Sequence, residues 1–174
     1  MPTLAGSPGS SGSTNGTDTS ARFNHPDHLT TDGTNLYVTD ANNHTIRKIV
    51  ISTGFVTTLA GSAGSTGSTN GTGTTARFHY PRGIVTDGTN LYVSDHNNHT
   101  IRKIVIATGV VSTFAGSAGS SGSTDATGTA ARFSYPYGIT TDGTDLYLAD
   151  TGNHKIRKIV IATGAVTTLS LIHI

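Results

Sequence analysis

The sequence predicts an all-β fold assembled from three tandem units of 55 residues. The composition favours strands and turns, because Val, Ile, Thr and Tyr are typical of strands, whereas Asn and the 22 Gly residues are typical of turns. The repetition is direct: Ala21-Arg22-Phe23 recurs at Ala76 and at Ala131, with a step of 55 residues and no insertion or deletion. One structural unit therefore occurs three times in the chain.

Four short strands are predicted in each unit. In the middle unit, the strands are expected at residues 83–86, 91–94, 101–106 and 110–114. Asp87-Gly88 and Thr108-Gly109 are turn sequences, and the polar segment from Asp95 to His99 is a loop between the second and third strands. Gly, Pro or Asn interrupts every stretch that could reach the length of an average helix, so we expect a four-stranded antiparallel sheet.

A long linker rich in Gly, Ser and Thr separates successive units, and this composition is typical of flexible spacers. Each copy nevertheless ends with an aromatic residue and a proline at the same two positions, Phe78 and Pro81 in the second copy. We therefore expect the linker to be ordered and Phe78 to pack between neighbouring units.

The charge and the cysteine content exclude several classes of protein. The formal net charge is +1 and 12% of the residues are charged, so bulk electrostatics attract the chain to neither nucleic acid nor an anionic membrane. The chain has no cysteine, which excludes disulfides and thiolate metal sites. No apolar run approaches the roughly 20 residues that span a bilayer.

An aspartate and a histidine recur four residues apart before each third strand, as the pairs Asp40 and His44, Asp95 and His99, and Asp150 and His154. Metal ligands must converge on one ion, whereas these pairs are identical in every unit. We therefore predict a structural side-chain hydrogen bond that ties each loop to its own strand. We expect neither a metal site nor a cofactor.

The other repeated charged residues also favour a structural interpretation. The arginines at two repeated positions are expected to pair with loop carboxylates or with solvent; they are Arg22, Arg77 and Arg132, and Arg47, Arg102 and Arg157. The Asp-Gly turns do not form a calcium loop, because that loop needs several alternating carboxylates and a closing Glu, and the chain has no Glu. Nucleophile-elbow and phosphate-loop motifs are absent, so we expect no catalysis.

The segment that begins Pro81-Arg82-Gly83-Ile84 and continues through Asn98-His99 into Ile101-Arg102-Lys103-Ile104 resembles an NHL repeat. The third unit matches this pattern as well, while the first departs from it at Asp27-His28. The resemblance implies a β-propeller, usually with six blades around a central channel. Three blades do not close a ring, since known propellers have about four to eight.

The resemblance divides the chain into blades and loops. We expect a remnant of a preceding blade's last strand with an interblade loop at 1–27, blades at 28–60, 83–115 and 138–169, interblade loops at 61–82 and 116–137, and a non-repeat tail at 170–174. The tail looks like a translated sequencing adaptor, so we expect a truncated bacterial reading frame. The alternative is a homodimer in which two three-blade chains close a six-bladed ring.

The positions at which the three copies differ are concentrated in the linker ends and in the loops between second and third strands. Antiparallel strands place these two loops on one face of a blade, with the tight turns on the opposite face. We therefore predict one ligand-binding face, which comprises Asn24, His25, Asp27, His28, His79, Tyr80, Arg82, His96, Tyr135 and Tyr137. Drift on an exposed surface is the alternative explanation.

Three classes of function remain open at the level of the sequence. The favoured class is a scaffold that binds a protein, a peptide or a glycan, located outside the cell or on its surface. The second class is a metal-dependent lyase or hydrolase, for which only His25, His28, His79 and His96 break the repeat. The third is a purely structural repeat segment of a surface protein.

Overall fold

The computed structural model describes residues 3–169, and these residues form strands and one-turn 3-10 helices. The predicted tail at 170–174 lies outside the described residues. The strands are β1 (Gly16–Thr17), β2 (Pro26–Thr31), β3 (Asn35–Asp40), β4 (Thr45–Val50), β5 (Phe55–Gly61), β6 (Gly71–Thr72), β7 (Pro81–Thr86), β8 (Asn90–Asp95), β9 (Thr100–Val105), β10 (Val110–Gly116), β11 (Pro136–Thr141), β12 (Asp145–Asp150), β13 (Lys155–Val160) and β14 (Val166–Thr168). The 3-10 helices are Ala41–Asn43, Gly73–Thr75, His96–Asn98, Gly128–Ala130 and Thr151–Asn153.

The strands form three antiparallel sheets, which are the predicted blades. Blade 1 has the strand order β1-β5-β4-β3-β2, blade 2 the order β6-β10-β9-β8-β7, and blade 3 the order β11-β12-β13-β14. The prediction of an all-β partial propeller with four-stranded blades is confirmed. The linker adds a short fifth strand to blades 1 and 2, which the sequence did not predict, because two residues carry no recognisable strand period. Within residues 3–169, no helix has the length and apolar content to cross a membrane.

The innermost strand of each blade begins two residues earlier than the predicted boundaries at 28, 83 and 138. Pro81 already pairs with Asp95, and a β-bulge follows before Ile84 pairs with Val93. The bulge interrupts the two-residue period of the strand, which hid this start in the sequence. At the beginning of the chain, Thr3 and Leu4 form no strand, so the predicted strand remnant is not formed there in the described residues.

The interblade linker is ordered, and its aromatic anchor packs between blades as predicted. Phe78 is fully buried in a cluster that contains Tyr37 and Ile46 of blade 1 and Leu91 of blade 2. The tip of the linker reaches the outer edge of its own blade, where the N–H of Gly73 donates to the carbonyl oxygen of Gly109 at 2.9 Å. Burial of Phe78 couples the linker to both blade cores, because aromatic side chains bury large apolar areas.

The innermost strands of blades 2 and 3 lie close to the first two strands of the preceding blade. The hydroxyl of Thr39 donates to the carbonyl oxygen of Arg82 at 2.6 Å, and the hydroxyl of Ser94 donates in the same way to Tyr137. A Cβ atom at Gly83 would collide with the carbonyl oxygen of Tyr137 in the next blade. The glycine of the Pro-x-Gly-Ile segment therefore leaves room for the adjacent blade.

A fully buried ion pair lies in every blade near the loop that joins the second and third strands. In blade 2, the carboxylate of Asp95 accepts a hydrogen bond from Nη1 of Arg102 at 3.0 Å, and both side chains have no exposed surface. The same carboxylate accepts hydrogen bonds from the amide of Asn98 and from the N–H of His79, each at 2.7 Å. Blades 1 and 3 repeat the pair with Asp40–Arg47 and Asp150–Arg157. The second of the two predicted arginine sets thus pairs with loop carboxylates.

The guanidinium of Arg102 also binds the linker. It donates to the carbonyl oxygen of Arg77 at 2.8 Å and to Oδ1 of Asn70 at 2.8 Å, and its Cζ lies 5.1 Å from the ring centroid of Phe78. Burial raises the pKa of Asp95, while the Arg102 charge and the N–H donors lower it. The pair therefore joins two strands, the intervening loop and the linker at a point that water does not reach.

Replacement of Asp95 by Asn is expected to reduce the free energy of unfolding by about 3–5 kcal/mol, because it leaves the buried Arg102 charge without a counter-charge. Urea unfolding followed by circular dichroism measures this loss. Asp145→Asn is the matched control, since Asp145 pairs with the partly exposed Lys158 at 2.6 Å. The control is expected to cost less than about 1 kcal/mol. Equal losses in both variants would contradict the role of the buried pair.

Candidate ligand-binding face

The linker ends and the three 3-10 helices that follow the second strands (Ala41–Asn43, His96–Asn98 and Thr151–Asn153) meet on one side of the blades, here called the loop face. The N–H of Asn97 donates to the carbonyl oxygen of His79 at 3.0 Å, and the N–H of Gly152 donates to Ser134 at 2.8 Å. The corresponding contact in blade 1 joins Asn42 to Asn24 at 3.1 Å. The segments in which the three copies differ therefore share one face, in agreement with the strand-order argument.

His44 and His99 connect neighbouring blades. The predicted hydrogen bond that ties each loop to its own strand is therefore made by the aspartate of each pair and not by its histidine. Nδ1 of His44 accepts a hydrogen bond from the N–H of Tyr80 at 3.2 Å, and Nδ1 of His99 accepts one from Tyr135 at 3.1 Å. His44, His99 and His154 have φ angles of 58°, 59° and 55°. This left-handed conformation turns the imidazole of His44 and of His99 away from its own strand and towards the next blade.

The residue before the proline that begins each innermost strand also has a positive φ angle. The angle is 60° at His25, 53° at Tyr80 and 49° at Tyr135. This conformation is uncommon for a bulky residue and lies outside the region that a following proline favours. It directs the N–H of Tyr80 and of Tyr135 at the histidine of the preceding blade, and the paired rings meet edge to face at 4.7 and 4.6 Å. The interblade contact offsets the cost of the backbone conformation.

Lowering the pH from about 7.5 to about 5 is expected to destabilise the contact between blades. Burial lowers the pKa of His44 and of His99 below the ordinary value near 6.5, and neighbouring histidines lower it further. A lowered folded-state pKa leaves this stabilisation complete above about pH 6.5 and removes it as the pH falls through the folded value. Urea unfolding at a series of pH values should show a loss of about 1 kcal/mol per hydrogen bond.

A His44→Gln, His99→Gln double variant tests the assignment, because it removes both titrating rings. Its free energy of unfolding should vary less between pH 7.5 and pH 5 than that of the unaltered chain. His28→Gln is the control, since the imidazole of His28 makes no hydrogen bond within residues 3–169 and this variant should retain the pH dependence. An unchanged pH dependence in the double variant would refute the assignment.

One repeat position brings together side chains from all three blades. Nη1 of Arg82 lies 3.1 Å from Oδ2 of Asp27, and the hydroxyl of Tyr137 lies 3.1 Å from the same oxygen. Cζ of Arg82 lies 5.6 Å from the ring centroid of Tyr137 and 5.9 Å from that of Tyr80. Burial and the Asp27 carboxylate together raise the pKa of the Tyr137 phenol. Residues 27, 82 and 137 each follow the first residue of an innermost strand, so the group lies where the innermost strands meet the loop face.

His96 and Tyr135 extend this group. The rings of His96 and Tyr135 are 5.3 Å apart, and those of His96 and Tyr137 are 5.8 Å apart and perpendicular. Nδ1 of His96 lies 3.1 Å from the carbonyl oxygen of Pro136, which requires this nitrogen to donate. Burial lowers the pKa of His96, so the ring is neutral at pH 7 and its Nε2 is an acceptor. Asp27, Arg82, His96, Tyr135 and Tyr137 are called the rim cluster below.

The rim cluster offers stacking surfaces and a fixed set of polar groups. Tyr135 is 48% exposed and Tyr137 is 36% exposed, although both rings contact His96. The ion pair between Arg82 and Asp27 holds both charges in one orientation. Such an arrangement can pack against a flat or apolar part of a ligand and form directed hydrogen bonds with its polar part.

The other predicted residues of the face lie in separate places. His79 packs with His44 and Tyr80 between blades 1 and 2, at centroid distances of 6.0 and 5.5 Å. The side chain of Asn24 accepts from Asn42 at 3.4 Å, and His25 is exposed directly before the innermost strand of blade 1. His28 lines a groove on blade 3 and makes no ring contact with the rim cluster.

Two further sequence interpretations are refined by the structure. Arg22, Arg77 and Arg132 donate to backbone carbonyl oxygens of their own linker and form no ion pair within the described part of the chain, so of the two expected partners, loop carboxylates and solvent, the carboxylates do not apply to this set. Asp87 accepts hydrogen bonds from the N–H groups of Thr89 and Asn90, which makes it a turn residue. Residues 3–169 contain no cluster of three or more potential metal ligands.

A human protein, NHL repeat-containing protein 2, is 30% identical over 146 residues, which cover 78% of this chain and 20% of that protein. The chain belongs to the NHL-repeat family. No family model matches the sequence.

Solved propeller-like structures resemble this NHL-repeat chain over most of its length. An auxiliary nutrient binding protein from Bacteroides thetaiotaomicron superimposes with a TM-score of 0.65 at 26% identity, over 82% of this chain and 37% of that one. A catalytically inactive virginiamycin B lyase from Staphylococcus aureus, crystallised with quinupristin, superimposes with a TM-score of 0.60 at 16% identity, over 90% of this chain and 44% of that one. The NHL-repeat chain thus spans less than half the length of these proteins.

Proposed function

We propose that the chain is a binding scaffold and that its ligand, a peptide, a protein or a glycan, docks on the rim cluster. The observation that carries this proposal is the convergence of Asp27, Arg82 and Tyr137 from three blades at one repeat position. Residues 27, 82 and 137 hold the same position in the innermost strands of the three blades. The three copies supply an acid, a base and an aromatic residue at that position, and these side chains contact one another.

The chemistry of the rim cluster supports recognition. Tyr and Arg are the residue types that contribute most to binding energy at interfaces, and loops on a rigid scaffold are common binding sites. The constant buried pairs beneath the loops hold the scaffold while the rim residues differ. The likeness to a nutrient binding protein agrees with a binding role. We assign no catalytic step to this face and propose a location outside the cell or on its surface.

Arrays of immobilised oligosaccharides and peptides, probed with the labelled 174-residue chain, test the proposal. Selective retention on a defined set of probes is expected. Tyr135→Ala and Tyr137→Ala should each weaken that retention by about tenfold or more, because each removes an exposed ring of the rim cluster. Both side chains are partly exposed, so the variants should keep the fold, which circular dichroism verifies.

The matched control is Phe55→Ala, which removes an equally exposed aromatic residue beside a tight turn on the opposite face. This variant should retain full binding. Equal binding by all variants would place the ligand elsewhere on the molecule. Absence of any selective retention would refute the proposal and favour a purely structural repeat segment.

A further inference from the structure

Each blade has a trailing face that contacts the next blade and a leading face that contacts the previous one. At the trailing face of blade 3, Ile156 is 50% exposed, whereas Ile46 and Ile101 at the same repeat position are fully buried by the following blade. At the leading face of blade 1, Leu29 is 58% exposed, whereas Ile84 at the same position is 2% exposed. Two apolar faces of the described chain are therefore uncovered, one of each kind.

Both uncovered faces form grooves. The trailing face of blade 3 borders a groove of about 390 Å³ whose lining includes Gly138, Tyr147, Ala149 and Ile156, together with His28 of blade 1. The leading face of blade 1 borders a groove of about 500 Å³ whose lining includes Ala5, Phe23 and Pro26. Phe23 is the counterpart of Phe78, which is fully buried between blades 1 and 2. The two faces thus carry the same kinds of residues as the two interfaces already formed within the chain.

Polar groups on the two faces are also complementary. His154 has the same left-handed conformation as His99, and no N–H within residues 3–169 donates to its ring. On the leading face of blade 1, His25 has the conformation of Tyr80 and Tyr135, and its N–H has no partner in the same range. A trailing face placed on this leading face would repeat the hydrogen bond that joins His99 to Tyr135.

The backbone at Gly138 also indicates that another blade can pack on the trailing face of blade 3. It occupies the repeat position of Gly83, where a Cβ atom would collide with the backbone of the next blade. At Gly138, a Cβ atom would meet no atom within 4 Å in this chain. The backbone of an added blade would lie against Gly138 as the Tyr137 carbonyl lies against Gly83.

We propose that a second copy of the chain covers both faces, with blade 3 of each copy against blade 1 of the other. Two such junctions are equivalent by a two-fold axis and close a ring of six blades, which lies within the range of about four to eight known for propellers. The junction lacks one hydrogen bond, because Ala149 replaces the hydroxyl that Thr39 and Ser94 provide. The ring should therefore dissociate on dilution. This inference does not depend on the proposed ligand.

Light scattering and sedimentation of the purified 174-residue chain over a range of concentrations test the proposal. A species of twice 17.9 kDa is expected at high concentration, in equilibrium with the single chain. Ile156→Lys and Leu29→Lys should each abolish this species, because each puts a charge into one junction face. Both residues are at least half exposed in the single chain, so both variants should remain folded.

Two further variants distinguish association through the junction from nonspecific association. Gly138→Ala should weaken the association by about tenfold or more, because its Cβ meets the backbone of the second copy. Val110→Lys, which changes an exposed apolar residue away from both faces, should leave the association unchanged.

Several outcomes would overturn the proposal. A single chain at every concentration means that the faces are free or that other blades occupy them in a longer polypeptide. Assemblies that grow beyond two copies exclude a closed ring. A dimer that persists in both Ile156→Lys and Leu29→Lys, or that Val110→Lys also abolishes, places the contact on another surface.

Discussion

The buried pair between the aspartate that ends the second strand and the arginine of the third strand is the interaction on which the rest of each blade depends. The arginine holds the linker through backbone carbonyl oxygens, and the carboxylate holds the linker through a backbone N–H. The linker in turn carries Phe78 into the space between blades. Without the pair, the linker would keep only Phe78 and a few backbone hydrogen bonds as anchors, because its Gly, Ser and Thr residues bury little apolar surface.

Most of the fold could be predicted from the sequence because its signals are local and occur three times. Turn residues such as Asp87-Gly88 mark the ends of strands, and the step of 55 residues defines the blades. Two features could not be predicted. The strand Gly71–Thr72 exists only because the linker lies beside β10, and the early start at Pro81 depends on a bulge that breaks the strand period.

The candidate site was partly predictable for the same reason. Strand reversal sufficed to place the varying positions on one face. The contacts among them depend on the placement of whole blades, which no single repeat encodes. The partner of His99 illustrates this limit, because its backbone angle directs the ring across a junction. The contact between Asp27 and Arg82 did leave a signal, namely opposite charges at one repeat position in adjacent copies.

The histidine that crosses each junction has a consequence for how such chains diversify. The backbone before the proline of one blade is held by a hydrogen bond to the blade before it, so the residues proposed to face a ligand belong to junctions. Duplication or recombination of a single blade therefore creates two new junctions and alters two neighbouring surfaces at once. The histidine of an inserted blade would accept the hydrogen bond from the next blade. The backbone of the inserted blade would in turn donate to the histidine of the preceding blade. A binding face of the kind proposed here would then change in pairs of adjacent repeats.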